Sequence, residues 1–363
     1  MILEKRLELK KVPLIPECSA TEWNDRKAQY RQMFMEEEYG RPIPEPEDIF
    51  FEEGKVTDPN FCAGFGVRYP VTAHVTVCGQ PFHFPFTVCL PTTEGPHPFV
   101  VFNDFAAGEP TRNLPIEELI QSGFAILHLF YQDITTDDDD FTTGLAGAVY
   151  PDGGKNRTGD DPGKIMMWAW ANMRVMDYAM TLSCLDHKNG AVAGHSRLGK
   201  TALVTGMLDE RFRYVISNNA GCSGDGLFRG RDSGERIPDI VKRFPYWFCP
   251  NFHKYADRHK YTFPGDQHML LATIAPRYLL VGAAAEDAWA DPISQYQCCF
   301  AASVAWRNLG REGLIAPDRN AEVGENFDEG SICFHMRPGR HMMSRIDWNI
   351  YLATIRKKMN LDR

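Results

Sequence analysis

No stretch of about 18 apolar residues interrupts this 363-residue chain, so no segment has the length of a membrane-spanning helix. Basic residues are in the minority: 39 Lys and Arg stand against 48 Asp and Glu, a formal charge of −9. That balance excludes the basic face a nucleic-acid binder needs and simple attraction to an anionic membrane. Cysteine pairs at redox or metal spacing are missing too. The ten cysteines form no CxxC, and none stands with histidines at zinc-finger spacing, so they read as reduced residues, Cys78, Cys89, Cys184 and Cys298 within apolar segments. Internal repeats and low-complexity tracts are absent. The N-terminus, Met1 to Lys11, mixes charge with apolar residues and lacks a signal-peptide core. Taking Met1 as the native start, the expected location is cytoplasmic.

What is present is a globular composition, 44% hydrophobic and 24% charged, long enough for two domains or one large one at about 150 residues each. Residues 1–60 read as an appendage with one charged amphipathic helix at 22–39, ended by Gly40 and Pro42. Alternation through Phe65–Val77 and Pro81–Leu90 around Cys78-Gly79-Gln80 predicts a β-hairpin. From residue 97 onward short β-rich runs (98–102, 124–129, 190–194, 214–217, 278–282, 331–334) alternate with helical patterns (115–122, 163–182, 198–208, 292–308, 346–359). Such alternation implies βαβ crossovers, a mainly parallel sheet with antiparallel edge strands and helices on both faces. The domain therefore runs over 61–363, with an irregular, cap-like insertion at about 222–275 lying over one end of the sheet. The acidic run Asp137–Asp140 lacks EF-hand spacing and reads as a solvated loop.

The chemistry sits at Ala193-Gly194-His195-Ser196-Arg197-Leu198-Gly199-Lys200, where a β-run stops and a helical run starts. A serine on such a turn is lifted above the sheet, beside the positive end of the following helix. The G-x-S-x-G elbow pattern is met only in part, because Leu198 holds the second glycine position and Gly199 follows it; read otherwise, Ser196 simply caps the helix. A nucleophilic serine needs a base, and the base needs an orienting carboxylate. In α/β-hydrolases the chain order is Ser, acid, His. The loop after the 278–282 strand offers Glu286, Asp287 and Asp291, and the loop after the last strand offers His341. Asp287 is the first choice for the acid, with Glu286 the rival and Asp291 read as a helix cap before Pro292. Among competing histidines, His195 points away from its neighbour, His335 comes too early to reach the rim, and His268 reads as a pocket or structural residue, with substrate binding as its expected role.

The motif Gly194-His195-Ser196-Arg197-Leu198-Gly199-Lys200 resembles the G-x-S-R-x-G-K elbow of the glucuronoyl esterases, carbohydrate esterase family fifteen, within the α/β-hydrolase superfamily. Trp168-Ala169-Trp170, Ser223-Gly224, Gly234-Glu235, Arg243 to Phe248, Gln267 to Leu271 and Trp289 to Pro292 match in order, over roughly residues 90–360. The resemblance implies an α/β-hydrolase fold, Ser196 as nucleophile, His341 as base, and Arg197 supporting the oxyanion through its N–H and guanidinium. It also implies Lys200, Glu235 and Trp289 facing the sugar. Many members carry the acid just after the strand that follows the nucleophile helix; here Ser217-Asn218-Asn219 stands there, which again favours Asp287. The implied function is a serine carboxylester hydrolase on a small carbohydrate ester, most directly a glucuronoyl ester of xylan-derived material, with no metal or organic cofactor. The alternatives are an acetylxylan or acetyl-oligosaccharide esterase, as bacterial relatives of this type are labelled, and a non-catalytic carbohydrate-binding protein on the same scaffold.

Overall fold

The computed structural model describes residues 2–231 and 234–361. Their strands are β1 (Asp48–Glu53), β2 (Gly66–Val77), β3 (Gln80–Pro91), β4 (His97–Asp104), β5 (Ala125–Phe130), β6 (Leu185–His195), β7 (Tyr214–Asn218), β8 (Tyr278–Ala284), β9 (Asn326–Phe327) and β10 (Ile332–Arg337). They form one sheet in the order β1-β2-β3-β5-β4-β6-β7-β8-β10-β9. The run from β5 to β10 is parallel, β1, β2 and β3 join antiparallel at one edge, and β9 pairs antiparallel at the other. This is the mainly parallel, layered α/β architecture that the strand–helix alternation predicts, and the α/β-hydrolase fold that the family resemblance implies.

Burial on both faces explains the apolar runs of the central strands. Along β4, Val100 and Phe102 pack with Ile126, Ile216, Leu280 and Trp348 on one face. Val101 points the other way, joining Leu127, Val192, Val215 and Leu279. The Ile116–Gln121 and Arg345–Leu361 helices cover the first face, and the Lys164–Ala179, Arg197–Leu208 and Pro292–Ala302 helices the second. The hairpin turns at Cys78 and Gly79, both at positive φ (53° and 70°) as a two-residue turn requires. Cys78 is therefore exposed at a turn, not buried in the core, and all ten cysteines are free thiols.

Residues 1–60 correct the expectation of an appendage with one helix. They hold two α-helices, Ile2–Leu9 and Ala20–Phe34, a π-helical turn Met35–Tyr39, and strand β1. Leu3, Leu7, Trp23, Phe34 and Tyr39 lie within the main core. The high charge density hides this stripe in the sequence: Trp23, Lys27, Tyr30 and Phe34 share one helical face, and the charged residues between them point elsewhere. The stretch 222–275 carries the short helices Ile237–Arg243, Pro245–Trp247, Pro250–Ala256 and Gln267–Ala272.

Candidate active site

Strand β6 ends at His195, and Ser196 turns the chain into the Arg197–Leu208 helix with φ 57° and ψ −125°. A non-glycine residue held there stores roughly 1–3 kcal/mol of strain, and the surrounding packing over-determines it. A Cβ on Gly194 would meet the Leu198 carbonyl oxygen at 2.0 Å, and one on Gly199 would press on Ala220 at 3.1 Å. The close crossing thus falls on Gly199, which leaves residue 198 free to be a buried leucine. That accounts for the displaced second glycine of the elbow.

Two loops at the C-terminal end of the sheet close on the serine. The turn after β8 and the loop after β10 are zipped together: the Ala285 N–H donates to the Arg337 carbonyl (2.9 Å) and the Glu286 N–H to the Gly339 carbonyl (3.0 Å). His341, carried by the second loop, receives the Ser196 Oγ proton contact at Nε2 (2.9 Å) and donates from Nδ1 to Asp287 Oδ2 (2.5 Å). Asp287 is buried and His341 is partly exposed. Glu286, the rival acid, instead accepts from the Gly339 N–H (3.2 Å) and faces Arg340 (3.7 Å). Asp291 accepts from the Ser294 N–H (3.0 Å) and caps the Pro292–Ala302 helix. A hydroxyl, an imidazole and a buried carboxylate in this order can pass a proton from oxygen to ring while the carboxylate holds the tautomer.

Beside Ser196 lies a cavity of about 320 Å³ lined by Lys200, Glu235, Arg243, Phe244, Trp247 and Trp289, with Arg197, Asp287 and His341 at its inner end. The Lys200 ammonium donates to the Ala220 and Cys222 carbonyls and lies 3.8 Å from Glu235. Trp289 is 44% exposed, which leaves an indole face for a ring to lie on, and the Arg243 guanidinium sits 5.1 Å from its centroid. The Arg197 guanidinium is held among Phe105, Phe244 and Trp247 (5.5, 5.5 and 4.8 Å) and is ion-paired to Asp137.

Two sequence expectations are corrected here. Asp137 is no solvated loop residue: besides Arg197 it accepts from Trp247 Nε1 (2.7 Å) and the Tyr131 hydroxyl (3.1 Å), and two of these three partners, Arg197 and Trp247, are distant in sequence. His268 is not the substrate-binding residue expected either; of its two readings, pocket or structural, the structure gives the second. It is fully buried in the Gln267–Ala272 helix, outside the cavity lining, and burial draws its pKa down to about 4. The apolar Met269-Leu270-Leu271 run beside it was the available signal. Arg243, Phe244 and Trp247, which wall the cavity, and His195, whose ring lies 4.5 Å from that of His341, carry no mark of these positions in the sequence. Among the described residues no group of three or more His, Cys, Asp or Glu side chains is arranged to hold a metal ion.

The family model for fungal glucuronyl esterases matches residues 73–310. The chain belongs to this glucuronyl esterase family. Among curated relatives of this chain, the carbohydrate esterase MZ0003 from an unknown prokaryotic organism is 38% identical over 256 residues, covering 69% of this chain and 57% of its own. A 4-O-methyl-glucuronoyl methylesterase from Podospora anserina is 26% identical over 305 residues, covering 80% of this chain and 57% of its own. The chain thus spans 57% of the length of each of these two relatives. Among solved structures, a promiscuous CE15 esterase from a marine bacterial metagenome superposes with a TM-score of 0.83 at 30% identity, over 93% of both chains.

Proposed function

We propose that this esterase is a serine carboxylester hydrolase that cleaves an ester of a glucuronic acid. The observation that carries the reading is the continuous hydrogen-bonded series from Ser196 through His341 to Asp287, opening on a cavity with Lys200, Glu235 and Trp289. Ser196 Oγ adds to the ester carbonyl carbon as its proton passes to His341 Nε2. The negative oxygen that results faces the first turn of the Arg197–Leu208 helix, whose leading N–H groups lack intrahelical partners. The bond from carbon to the alcohol oxygen then breaks, and His341 returns the proton to that oxygen. Water, deprotonated by His341, releases the uronic acid from Ser196 by the reverse path.

Membership of the glucuronyl esterase family supports this choice of acyl group, as does a cavity that offers a cation, a carboxylate and an indole face to a hydroxylated ring. Side-by-side hydrolysis of a glucuronate methyl ester and an acetylated xylooligosaccharide tests it, and preferential turnover of the uronate ester is expected. Replacing Ser196 with Ala is expected to abolish ester turnover and fluorophosphonate labelling while leaving the unfolding midpoint in place. Full activity in that variant would remove the assignment.

A further inference from the structure

An ester whose carbonyl carbon sits over Ser196 Oγ has two arms, and the structure offers two cavities. The first, described above, runs toward Lys200 and Trp289. A second, of about 380 Å³, opens on the other side of Ser196 and is walled by Phe105, Thr111, Arg112, Asn113 and Met342. The two share only Ser196, Arg197 and His341. If the uronic acyl arm occupies the first cavity, as the functional reading above holds, the alkoxy arm is left with the second.

The wall of this second cavity is a fixed structure. Apart from Met342 it is the loop that follows β4, and a buried carboxylate gathers that loop: Asp104 accepts from the Phe105 N–H (2.7 Å), from Asn113 Nδ2 (3.2 Å) and from the Thr111 hydroxyl. Behind it, buried His128 stands between Asp104 (3.3 Å) and Glu109 (2.5 Å), with Arg68 3.7 Å from Glu109. The Asn113 carbonyl takes the Trp348 Nε1–H (2.6 Å). These bonds commit the Thr111 hydroxyl and the Asn113 amide nitrogen to the loop itself. The other charge-bearing groups lining the cavity are committed as well, Arg197 to Asp137 and His341 to Asp287. Arg112 is exposed at the rim and makes no hydrogen bond or ion pair with any described residue. A guanidinium held on an anchored loop is suited to grip a carboxylate in a two-pronged pair.

We propose that this second cavity is the subsite for the departing alcohol, and that Arg112 selects alcohols bearing a carboxylate, such as a hydroxy acid or an acidic sugar. In the cleavage step the bond between the carbonyl carbon and the alcohol oxygen breaks. His341 protonates that oxygen, and the hydroxy acid leaves with its carboxylate still facing Arg112.

The experiment compares two esters of one glucuronic acid, the methyl ester and the ester of glycolic acid, in the intact chain and in Arg112→Gln and Arg112→Glu. The quantity read is the ratio of kcat/KM for the glycolate ester over the methyl ester. It is expected to fall about fivefold in Arg112→Gln, the size of a partly exposed charge pair, and further in Arg112→Glu, mainly through KM. In the unsubstituted protein the ratio should also fall with added salt. A ratio indifferent to both substitutions and to salt overturns the alcohol subsite while leaving the esterase reading in place. A protein whose Ser196 takes the fluorophosphonate label but which cleaves neither uronate ester overturns the functional reading, and the subsite with it.

Discussion

His195 immediately precedes Ser196, the proposed nucleophile, and its hydrogen-bond partners fix its protonation. The backbone N–H of Ala284 can only donate, so the oxygen of the Asn219 amide faces it (2.8 Å). Asn219 Nδ2 then donates to Asn218 Oδ1 (3.0 Å), and Asn218 Nδ2 to the Tyr351 hydroxyl (3.0 Å). Asn218 Oδ1 is therefore an acceptor for His195, which carries its proton on Nδ1 (2.8 Å). Burial, and then the charge of His341, hold the His195 pKa down at about 4. A neutral ring is thus packed against His341 when that residue gains its proton. His195→Ala should lower kcat ten- to hundredfold through misplacement of the base, with a much smaller change in KM; equal losses in both would show a general collapse of the site. A second comparison settles the acid. Asp287→Asn is expected to cost about 10³–10⁴-fold in kcat by favouring the wrong tautomer, whereas Glu286→Gln, which alters a contact to Gly339, should cost less than about tenfold. The reverse order, read from steady-state rates, would exchange their roles. Ser196, Asp287 and His341 were legible because each sits just beyond a recognisable strand. Asp137 was not, since its partners Tyr131, Trp247 and Arg197 meet it only once three separate segments are folded together.

Among the elements, the parallel strands were legible because two-sided burial writes itself as an unbroken apolar run. The six expected from residue 98 onward correspond to β4, β5, β6, β7, β8 and β10. Strand β1 was not foreseen: four of the six residues in Asp48-Ile49-Phe50-Phe51-Glu52-Glu53 are acidic or exposed aromatic, and only Ile49 and Phe51 turn, partly buried, to the core while pairing with β2 holds the strand. Equally hidden was the anchoring of the loop after β4, whose centre lies one strand away at His128. The two carboxylates flanking that buried ring outweigh the cost of burial and raise its pKa from 6.5 to about 9. A folded-state pKa above the unfolded one gives stability that is complete below pH 6.5 and lost as the pH rises through 9, on the order of 3 kcal/mol. His195 and His268, both lowered to about 4, act in the opposite sense, removing stability as the pH falls below 6.5. Thermal unfolding midpoints measured from pH 6.5 to 9.5 should therefore decline in the unsubstituted protein and decline less steeply in His128→Gln. Parallel slopes would show that His128 does not carry its charge in the folded state.

At the scale of the whole molecule, the first 40 residues brace the site from behind. The Tyr39 hydroxyl donates to the Ser223 carbonyl (3.1 Å), and Gln267 Nε2 donates to the buried Glu38 carboxyl (2.8 Å). The Cys249 N–H donates to the Glu38 carbonyl (2.9 Å), and the Gly163 N–H to the Tyr39 carbonyl (3.1 Å). One short segment thus ties the insertion, which supplies Glu235, Phe244 and Trp247, to the start of the Lys164–Ala179 helix. Gly40 makes the approach possible: its φ is +97°, and a Cβ there would meet Pro162 Cα at 2.4 Å. Burial of Glu38 raises its pKa to about 8, so at neutral pH the carboxyl is mostly neutral and no charge is stranded under the cavity. An appendage and a brace make opposite predictions. If residues 1–40 were an appendage, Trp23→Ala would leave both the urea midpoint and ester turnover where they were. As a brace with a fully buried Trp23, the segment should lose about 3–5 kcal/mol on that substitution. Gly40→Ala, which leaves the core intact but forces Pro162 away, should cut turnover of a uronate ester while the urea midpoint changes little, because the displacement passes through Gly163, which packs on Trp247 of the cavity wall.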